Sequence, residues 1–151
     1  MSLAAIAYVS DVAGSLPAKS LDVLVDDAVR FNSVAGVTGV LLFDGARFLQ
    51  YFEGPADGAA AVYERVRQAR SHRNIIELGQ VQVPQRYFPF WSMRWLGVEP
   101  ALIEQLSASD WHGFAERVDD VGAVDSAMER LLRHVAPHVP RRGLDAPSAA
   151  D

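Results

Sequence analysis

The sequence contains no cysteine among its 151 residues. Disulfide bonds, thiolate metal sites and thiol nucleophiles are therefore excluded, and the absence agrees with the cytoplasmic location that we predict. Long apolar runs are also missing, since none approaches the roughly 20 residues that a membrane-spanning helix needs. The first ten residues are apolar but have no basic segment before them, so we expect a β-strand there and not a signal peptide.

Positive charge is scarce, with 14 Lys and Arg against 19 Asp and Glu and a net charge of −5. Proteins that bind nucleic acid present clustered Lys and Arg. Here the arginines are scattered and interrupted by acidic residues, so we predict that the chain binds neither nucleic acid nor a membrane. Hydrophobic residues make up 50% of the chain, which is enough for one sizeable core.

Hydrophobic periodicity predicts an α+β fold in the order β-α-β-β-α-β-β, and two helices crossing one side of a sheet favour a ferredoxin-like sandwich. One helix follows an N-cap at Ser20 and ends before Gly36, and a second covers residues 57–71. Asp44-Gly45 predicts a tight hairpin turn, because glycine accepts the positive φ that such turns demand. The predicted strands cover residues 3–9, 37–43, 47–53, 75–83 and 88–95.

The chain beyond the sandwich predicts a small helical cap. Apolar residues at helical spacing indicate helices at 101–106 and 121–135, which are too few for a second core and should pack on the open face of the sheet. We therefore divide the chain into a sandwich domain at residues 1–97, a C-terminal helical cap at 98–139 and a tail at 140–151. The polar, Pro/Ala-rich tail is expected to be disordered.

Gln50 is the clearest polar residue at a position that a plain core would fill with an apolar one. Strand alternation places it on the same face as Phe48 and Phe52. A buried amide left without partners costs roughly 1–3 kcal/mol, so a partner is required. Taken alone, a glutamine tied to a neighbouring backbone group or tyrosine is the simpler interpretation, and a glutamine that binds a ligand is the alternative.

Four further residues have ordinary explanations when each is taken singly. Asn32 lies on the inner face of the first helix at its end, where asparagine often terminates helices. Arg65 and His72 are seven residues apart on one helix face, and a helix-face arginine is more often solvated than functional. Tyr8 fits a core tyrosine whose hydroxyl binds a carbonyl. Together, however, Tyr8 and Gln50 fall on neighbouring strands under a groove bordered by Asn32 and Arg65, which predicts a site for a flat ligand with polar edges.

The chain resembles the BLUF domain family, the blue-light sensors that use FAD. The resemblance covers residues 3–95, and it is specific because all the pieces occur in order at the family's spacings. These pieces are Tyr8-Val9-Ser10, Asn32, Gly36 to Leu42, Phe48-Leu49-Gln50, Glu53-Gly54-Pro55, Arg86, Phe88 and Trp91-Ser92-Met93.

The resemblance implies a role for each residue of the predicted site. Tyr8 matches the tyrosine that donates an electron and a proton to the excited flavin. Gln50 matches the glutamine that changes its hydrogen bond to the flavin C4 carbonyl, and Asn32 matches the asparagine that binds the pyrimidine edge. An amide suits such a switch because its donor and acceptor ends have similar shapes.

The remaining matches concern the walls of the site and the route by which the signal leaves. Leu24, Val25 and Val66 match the aliphatic walls that enclose the flavin ring system. Arg65 and His72 match positions near the flavin's polar side chain. Trp91 and Met93 match the residues whose placement reports the light state, and we place both on one face of the last strand, where core filling also explains them. The resemblance implies FAD as cofactor, with FMN or riboflavin as alternatives, an unidentified downstream protein partner and a homo-oligomer.

The chain departs from the family pattern at the end of the second helix. The family usually has Asp-x-Arg-His there, but Ala69 and Ser71 stand in the places of the Asp and the Arg, and Phe31 replaces a residue that is often polar. A degenerate BLUF fold that has lost flavin and acts as an interaction module is therefore an alternative. A small enzyme is disfavoured, because no phosphate loop follows the first strand and none of the four histidines has a nucleophile at a strained turn.

Overall fold

The computed structural model describes residues 3–14, 17–111 and 127–138. The sheet strands are β1 (Leu3–Val12), β2 (Thr38–Phe43), β3 (Arg47–Gly54), β4 (His72–Val83) and β5 (Trp95–Gly97). The helices are α1 (Ala18–Ala35), α2 (Ala56–Gln68), α3 (Pro100–Ser107) and α4 (Ala127–Val135), with a short 3₁₀ turn at Ala136–His138. Within these residues, no helix is both long and apolar enough to cross a membrane.

The five strands form one sheet in the spatial order β4-β1-β3-β2-β5. The central strand β1 pairs antiparallel with β3 and with β4, and β2 pairs antiparallel with β3. Only the short β5 runs parallel to its neighbour, β2. This arrangement confirms the predicted α+β, ferredoxin-like fold, and it puts Tyr8 of β1 directly opposite Gln50 of β3.

Alternation along the strands divides the apolar residues between two faces of the sheet. On one face, Ile6 and Tyr8 pack with Leu21 and Val25 of α1 and Val62 of α2. On the other face, the neighbouring strand residues pack with the helices of the C-terminal cap, through Ile103, Leu106, Met128, Leu131 and Val135. Residues 121–126 and the tail at 140–151 lie outside the described residues, and the division at residue 97 stays a prediction.

Both helices on the first face begin or end at residues other than the predicted ones. The N-cap at Ser20 is wrong: α1 starts at Ala18 after Pro17, no side chain caps it, and the Pro17 carbonyl accepts the first hydrogen bonds. Proline's fixed φ suits this entry to a helix. The second helix ends at Gln68, three residues earlier than predicted, and His72 is already the first residue of β4.

The predicted last strand at 88–95 is also wrong, because regular pairing begins only at Trp95. Pro89 interrupts the segment before it, and proline cannot donate a ladder hydrogen bond. The segment nevertheless follows β2, since Gly39 N donates to Trp91 O at 3.0 Å and Leu41 N donates to Arg94 O at 2.8 Å. The segment is therefore attached to the sheet edge without strict alternation of its side chains.

The predicted hairpin turn between β2 and β3 is present. Oδ1 of Asp44 accepts hydrogen bonds from the backbone N–H groups of Ala46, at 2.9 Å, and Arg47, at 2.7 Å. Gly45 has a φ of 99°, which residues with a Cβ rarely adopt. The turn sets the β2–β3 register that brings Gln50 beside Leu41.

Candidate functional site

A cavity of about 130 Å³ lies between α1, α2 and the sheet face that carries Tyr8 and Gln50. All nine residues predicted to contact a cofactor line it: Tyr8, Leu24, Val25, Asn32, Gln50, Arg65, Val66, His72 and Met93. The cavity is also lined by seven residues that were not predicted as contacts: Leu21, Ala28, Leu41, Phe48, Val62, Ala69 and Ser71. The walls are thus mainly aliphatic, with a few polar groups, as is typical of a ligand site.

Tyr8 and Gln50 form a buried hydrogen-bonded pair at the floor of the cavity. The Tyr8 hydroxyl donates to Oε1 of Gln50, and Nε2 of Gln50 donates to the sulfur of Met93 at 3.5 Å. The two ends of the Gln50 amide therefore face unlike neighbours, an acceptor sulfur and a donor hydroxyl. A turn of this amide would break both contacts, so the position of the amide is linked to the position of Met93.

Burial keeps the Tyr8 hydroxyl protonated and able to donate. Loss of hydration raises the pKa of Tyr8 far above its ordinary value, and the nearby Tyr63 raises the pKa further. The two rings have centroids 6.2 Å apart. Burial and the carboxylate of Glu77, which accepts a hydrogen bond from the Tyr63 hydroxyl at 3.1 Å, raise the pKa of Tyr63 to about 12.

Asn32 lies in the last turn of α1, which ends with Gly36 in a left-handed conformation. Nδ2 of Asn32 donates to the carbonyl of Ser92 at 3.1 Å, so this side chain ties α1 to the segment before β5. Asn32 is 2% exposed, and its bond to Ser92 uses neither Oδ1 nor the second N–H of Nδ2. An acceptor and one N–H are left for a ligand edge that offers both a donor and an acceptor.

His72 is held in a defined tautomer by two partners on different elements. One ring nitrogen, Nε2, lies 2.8 Å from the carbonyl of Val66, and Nδ1 lies 2.6 Å from Oγ of Ser10. A carbonyl can only accept, so in neutral His72 the proton is on Nε2, and Nδ1 accepts a hydrogen bond from the Ser10 hydroxyl. Ser10 had no predicted role; its place two residues after Tyr8, on the same strand face, is the signal that could have indicated one.

Arg65 lies at the exposed mouth of the cavity. Its guanidinium carbon is 4.7 Å from the centroid of the Phe31 ring, a cation–π contact that connects α2 to α1. Phe31, one of the departures from the family pattern, therefore has a partner here. The other two departures, Ala69 and Ser71, line the cavity with small side chains.

The prediction that Trp91 and Met93 share one face is wrong. Met93 packs with Tyr8 in the cavity-side core, whereas Trp91 packs with the cap-side core on the opposite face of the sheet. The irregular backbone between Pro89 and Trp95 accounts for this, because strict alternation applies only to a regular strand. Met93 contacts Gln50, but Trp91 does not line the cavity.

The residues present fit a flavin. A flat apolar ring system needs aliphatic walls, which Leu24, Val25 and Val66 provide, and its polar edge needs paired donors and acceptors, which Asn32 and Gln50 provide. An exposed cation, Arg65, also lines the cavity and could pair with an anionic group of such a ligand. Among the described residues, no group of three or more His, Asp or Glu is placed to hold a metal ion.

The α+β fold and the buried tyrosine–glutamine pair beside a mainly aliphatic cavity define a small ligand-binding domain, and a family model identifies the family to which it belongs. A family model described as "BLUF: Sensors of blue-light using FAD" matches residues 3–94, more than half of the chain. The chain belongs to the BLUF family of blue-light sensors, whose members bind flavin.

Individual relatives support the assignment and differ in length. The chain is 36% identical over 86 residues to the blue light- and temperature-regulated antirepressor BluF of Escherichia coli (strain K12), which covers 57% of this chain and 21% of the relative. It is 26% identical over 88 residues to the photoactivated adenylate cyclase subunit beta of Euglena longa, covering 58% of this chain and 10% of that protein. The chain thus spans about a fifth or less of these two relatives.

Solved structures of BLUF proteins superpose on most of the chain. The dark-state structure of BlrB, a BLUF protein, aligns with a TM-score of 0.70 at 25% identity and covers 91% of this chain and 98% of BlrB. Klebsiella pneumoniae BlrP1 with FMN and cyclic diGMP aligns with a TM-score of 0.62 at 28% identity, over 89% of this chain and 34% of BlrP1.

Proposed function

We propose that the chain is a blue-light photoreceptor that binds FAD in the cavity between α1 and α2. Light changes the hydrogen bonds of Tyr8 and Gln50, and the change is passed to a protein partner. The observation that carries the proposal is the buried hydrogen bond from Tyr8 to Gln50 on the cavity floor. A buried amide with a redox-capable phenol on one side and a methionine sulfur on the other is suited to switching between two hydrogen-bond patterns.

The cavity residues divide the binding of the flavin among themselves. Asn32 binds the pyrimidine edge through its remaining N–H and Oδ1. The aliphatic walls are Leu24, Val25 and Val66, and the contacts at the flavin's polar side chain are Arg65 and His72. FAD is the proposed cofactor, and FMN or riboflavin are the alternatives, because Ala69 and Ser71 lack the charged groups that the family pattern has there.

The light step uses the existing Tyr8–Gln50 contact. When bound, the flavin supplies the absorption of blue light and, once excited, an acceptor for one electron. Tyr8 would donate that electron while its proton passes along the hydrogen bond to Oε1 of Gln50. Tyr8 would then recover both the electron and the proton, which restores its oxidation state, while the Gln50 amide stays turned or tautomerised and Nε2 no longer donates to Met93 as before. Met93 and the segment that carries it thereby receive the signal.

The chain is proposed to signal by contact and not to catalyse a reaction of its own. The match covers 21% of a relative named as an antirepressor and 10% of one named as a photoactivated adenylate cyclase subunit, and the remainder of each relative lies outside the match. A downstream protein partner and a homo-oligomer are proposed, in the cytoplasm, with no role for nucleic acid or a membrane. Residues 1–97 form the flavin-binding part and residues 98–139 the cap.

An absorption spectrum of the purified protein, before and after blue light, tests the proposal. We expect a flavin spectrum that shifts to the red in light and recovers in the dark, because a hydrogen bond gained at the flavin carbonyl stabilises the excited state. A protein that stays colourless after FAD is supplied would overturn the proposal and favour the flavin-free interaction module.

A further inference from the structure

Glu53 is a fully buried acidic residue on the face of β3 that points away from the cavity. Its exposed fraction is 0%, and it lies three residues after Gln50 on the same strand. Burying a carboxyl group is costly unless its oxygens are hydrogen-bonded. Nothing in the proposed flavin site uses this carboxyl group, so its burial requires a separate explanation.

Glu53 connects β3 to the segment before β5 by accepting a hydrogen bond from the backbone of that segment, and it also accepts one from Tyr51 of its own strand. Oε2 accepts a hydrogen bond from the backbone N–H of Phe88 at 2.6 Å, and Oε1 accepts one from the hydroxyl of Tyr51 at 2.7 Å. Arg86 adds a second attachment beside the first, because its guanidinium donates to Thr38 Oγ1 at 2.9 Å and to the Gly36 carbonyl at 2.8 Å. The start of the segment is thus fixed to the sheet by side chains.

Phe88, whose backbone is held by Glu53, in turn packs against Trp91. The Phe88 ring is fully buried and stacks on Trp91, with the centroids 6.2 Å apart and the planes at 22°. Phe90 contacts the same indole edge-on at 4.9 Å, and the Arg94 guanidinium lies 5.1 Å from its centroid. These contacts hold Trp91 on the cap side of the sheet.

The side of the sheet that Trp91 occupies determines where Met93 lies. Only one residue separates the two, and the backbone on either side is fixed by the hydrogen bonds from Gly39 to Trp91 and from Leu41 to Arg94. With Trp91 on the cap side, Met93 enters the cavity and its sulfur meets Nε2 of Gln50. The contacts therefore run from Glu53 on β3 through Phe88, Trp91 and Met93 and return to β3 at Gln50.

We infer that Glu53 is a positioning residue that holds Met93 against Gln50, acting through Phe88 and Trp91. Its side chain is long enough to place an acceptor oxygen within hydrogen-bond distance of the Phe88 N–H. The negative charge is not required for this positioning. The consequence for the light response rests on the proposed function, whereas the placement of Met93 can be tested without it.

Two conservative variants distinguish the effect of the side-chain length of Glu53 from the effect of its charge. Glu53→Gln keeps the reach and one acceptor oxygen but removes the charge, whereas Glu53→Asp keeps the charge and shortens the side chain by one methylene. The primary measurement is the methyl NMR signal of Met93 in protein labelled at its three methionines, assigned with Met93→Leu. It is recorded with amide hydrogen exchange across residues 86–94, with and without added FAD.

We expect Glu53→Gln to keep the wild-type Met93 signal and exchange protection. Glu53→Asp should shift or split that signal and raise exchange at Phe88 by about tenfold or more. If light responses are present, Glu53→Asp should also change the dark recovery rate several-fold, while Glu53→Gln should not. A Met93 signal in Glu53→Asp identical to wild type would overturn the inference, and so would a Glu53→Gln protein more disturbed than Glu53→Asp. A colourless wild-type protein would count against the proposed function alone, because the NMR and exchange comparison needs no flavin.

Discussion

The Tyr8 hydroxyl donates its hydrogen bond to Oε1 of Gln50, its register partner across β1 and β3. This contact determines the orientation of the Gln50 amide, whose Nε2 is left to donate to Met93. Both residues are at most 5% exposed, so water does not compete for these bonds. A change at the Tyr8 hydroxyl therefore reaches Met93 through a single side chain.

Replacing Gln50 with leucine should abolish the light-induced red shift while flavin remains bound. Leucine keeps an apolar side chain at the cavity floor but cannot rearrange a hydrogen bond, and the contacts from Asn32 and the aliphatic walls remain. Absorption spectra before and after blue light measure the result. Gln80→Leu, an exposed glutamine on β4, is the matched control and should keep the full shift. An intact shift in Gln50→Leu would contradict the role assigned to this residue.

Ser10→Ala should destabilise the protein by about 1–3 kcal/mol. The substitution removes the donor to Nδ1 of His72, which is 8% exposed and cannot obtain full hydration instead. The free energy of unfolding, from urea denaturation, measures the cost. Ser20→Ala is the control: this exposed serine makes no capping bond, so its removal should change stability by less than about 0.5 kcal/mol. Equal effects at the two positions would mean that the Ser10–His72 bond contributes nothing.

Regular elements could be predicted from the sequence because their side chains repeat. Alternation placed Tyr8 and Gln50 on the cavity side of the sheet, and helical spacing placed Asn32 on the inner face of α1, whereas the wall positions of Leu24 and Val25 were expected from the family resemblance. The predictions from alternation and helical spacing depend on local backbone geometry alone. The fold class followed from the order of such elements.

The parts that were mispredicted or missed depend on contacts between distant segments. Trp91 and Met93 lie in an irregular segment whose course is set by hydrogen bonds to β2, so alternation wrongly assigned both residues to one face. The Ser10–His72 bond joins residues 62 positions apart, and the β1–β4 register shifts twice between Ala7 and Asp11. Sequence periodicity carries no information on such register shifts.

The buried carboxyl group of Glu53 should make stability depend on pH. Burial raises the pKa of Glu53 above its ordinary value of 4.5. It outweighs the opposite effects of the hydrogen bonds from Tyr51 and from the backbone of Phe88 and Tyr87, and of the Arg86 charge. Because the pKa of Glu53 is raised in the folded state, protonated Glu53 contributes to the free energy of unfolding. This contribution is fully present below pH 4.5, the ordinary pKa, and is lost as the pH rises through the raised pKa of the folded state.

Comparison with Glu53→Gln isolates this contribution, because glutamine does not titrate. We expect the stability of wild type relative to Glu53→Gln to fall as pH rises above the ordinary value, by at most about 1.4 kcal/mol per pH unit, and then to level off. Denaturant titrations of both proteins between about pH 4 and pH 8 measure the difference. Parallel stability profiles would show that the Glu53 pKa is not raised.

Gly79→Ala should disrupt the packing of Trp111, in the C-terminal cap, against β4 of the sheet. A Cβ at Gly79 would lie 2.7 Å from Cβ of Trp111 and 2.9 Å from its carbonyl oxygen, too close for either atom to remain in place. Trp111 is buried, stacks on Tyr51 at 6.3 Å and donates to the Leu106 carbonyl at 2.7 Å, so it cannot move alone. Such overpacking costs roughly 1–3 kcal/mol.

The matched control for that substitution is Gly97→Ala, whose Cβ would meet only a Trp95 ring carbon at an ordinary 3.7 Å. Thermal denaturation should show a lowered Tm for Gly79→Ala and a nearly unchanged Tm for Gly97→Ala. Because Tyr51 is the neighbour of Gln50 on β3, displacement of Trp111 should also alter the dark recovery rate of the light-induced spectrum. A Gly79→Ala protein with wild-type Tm would mean that Trp111 does not pack against β4 in solution.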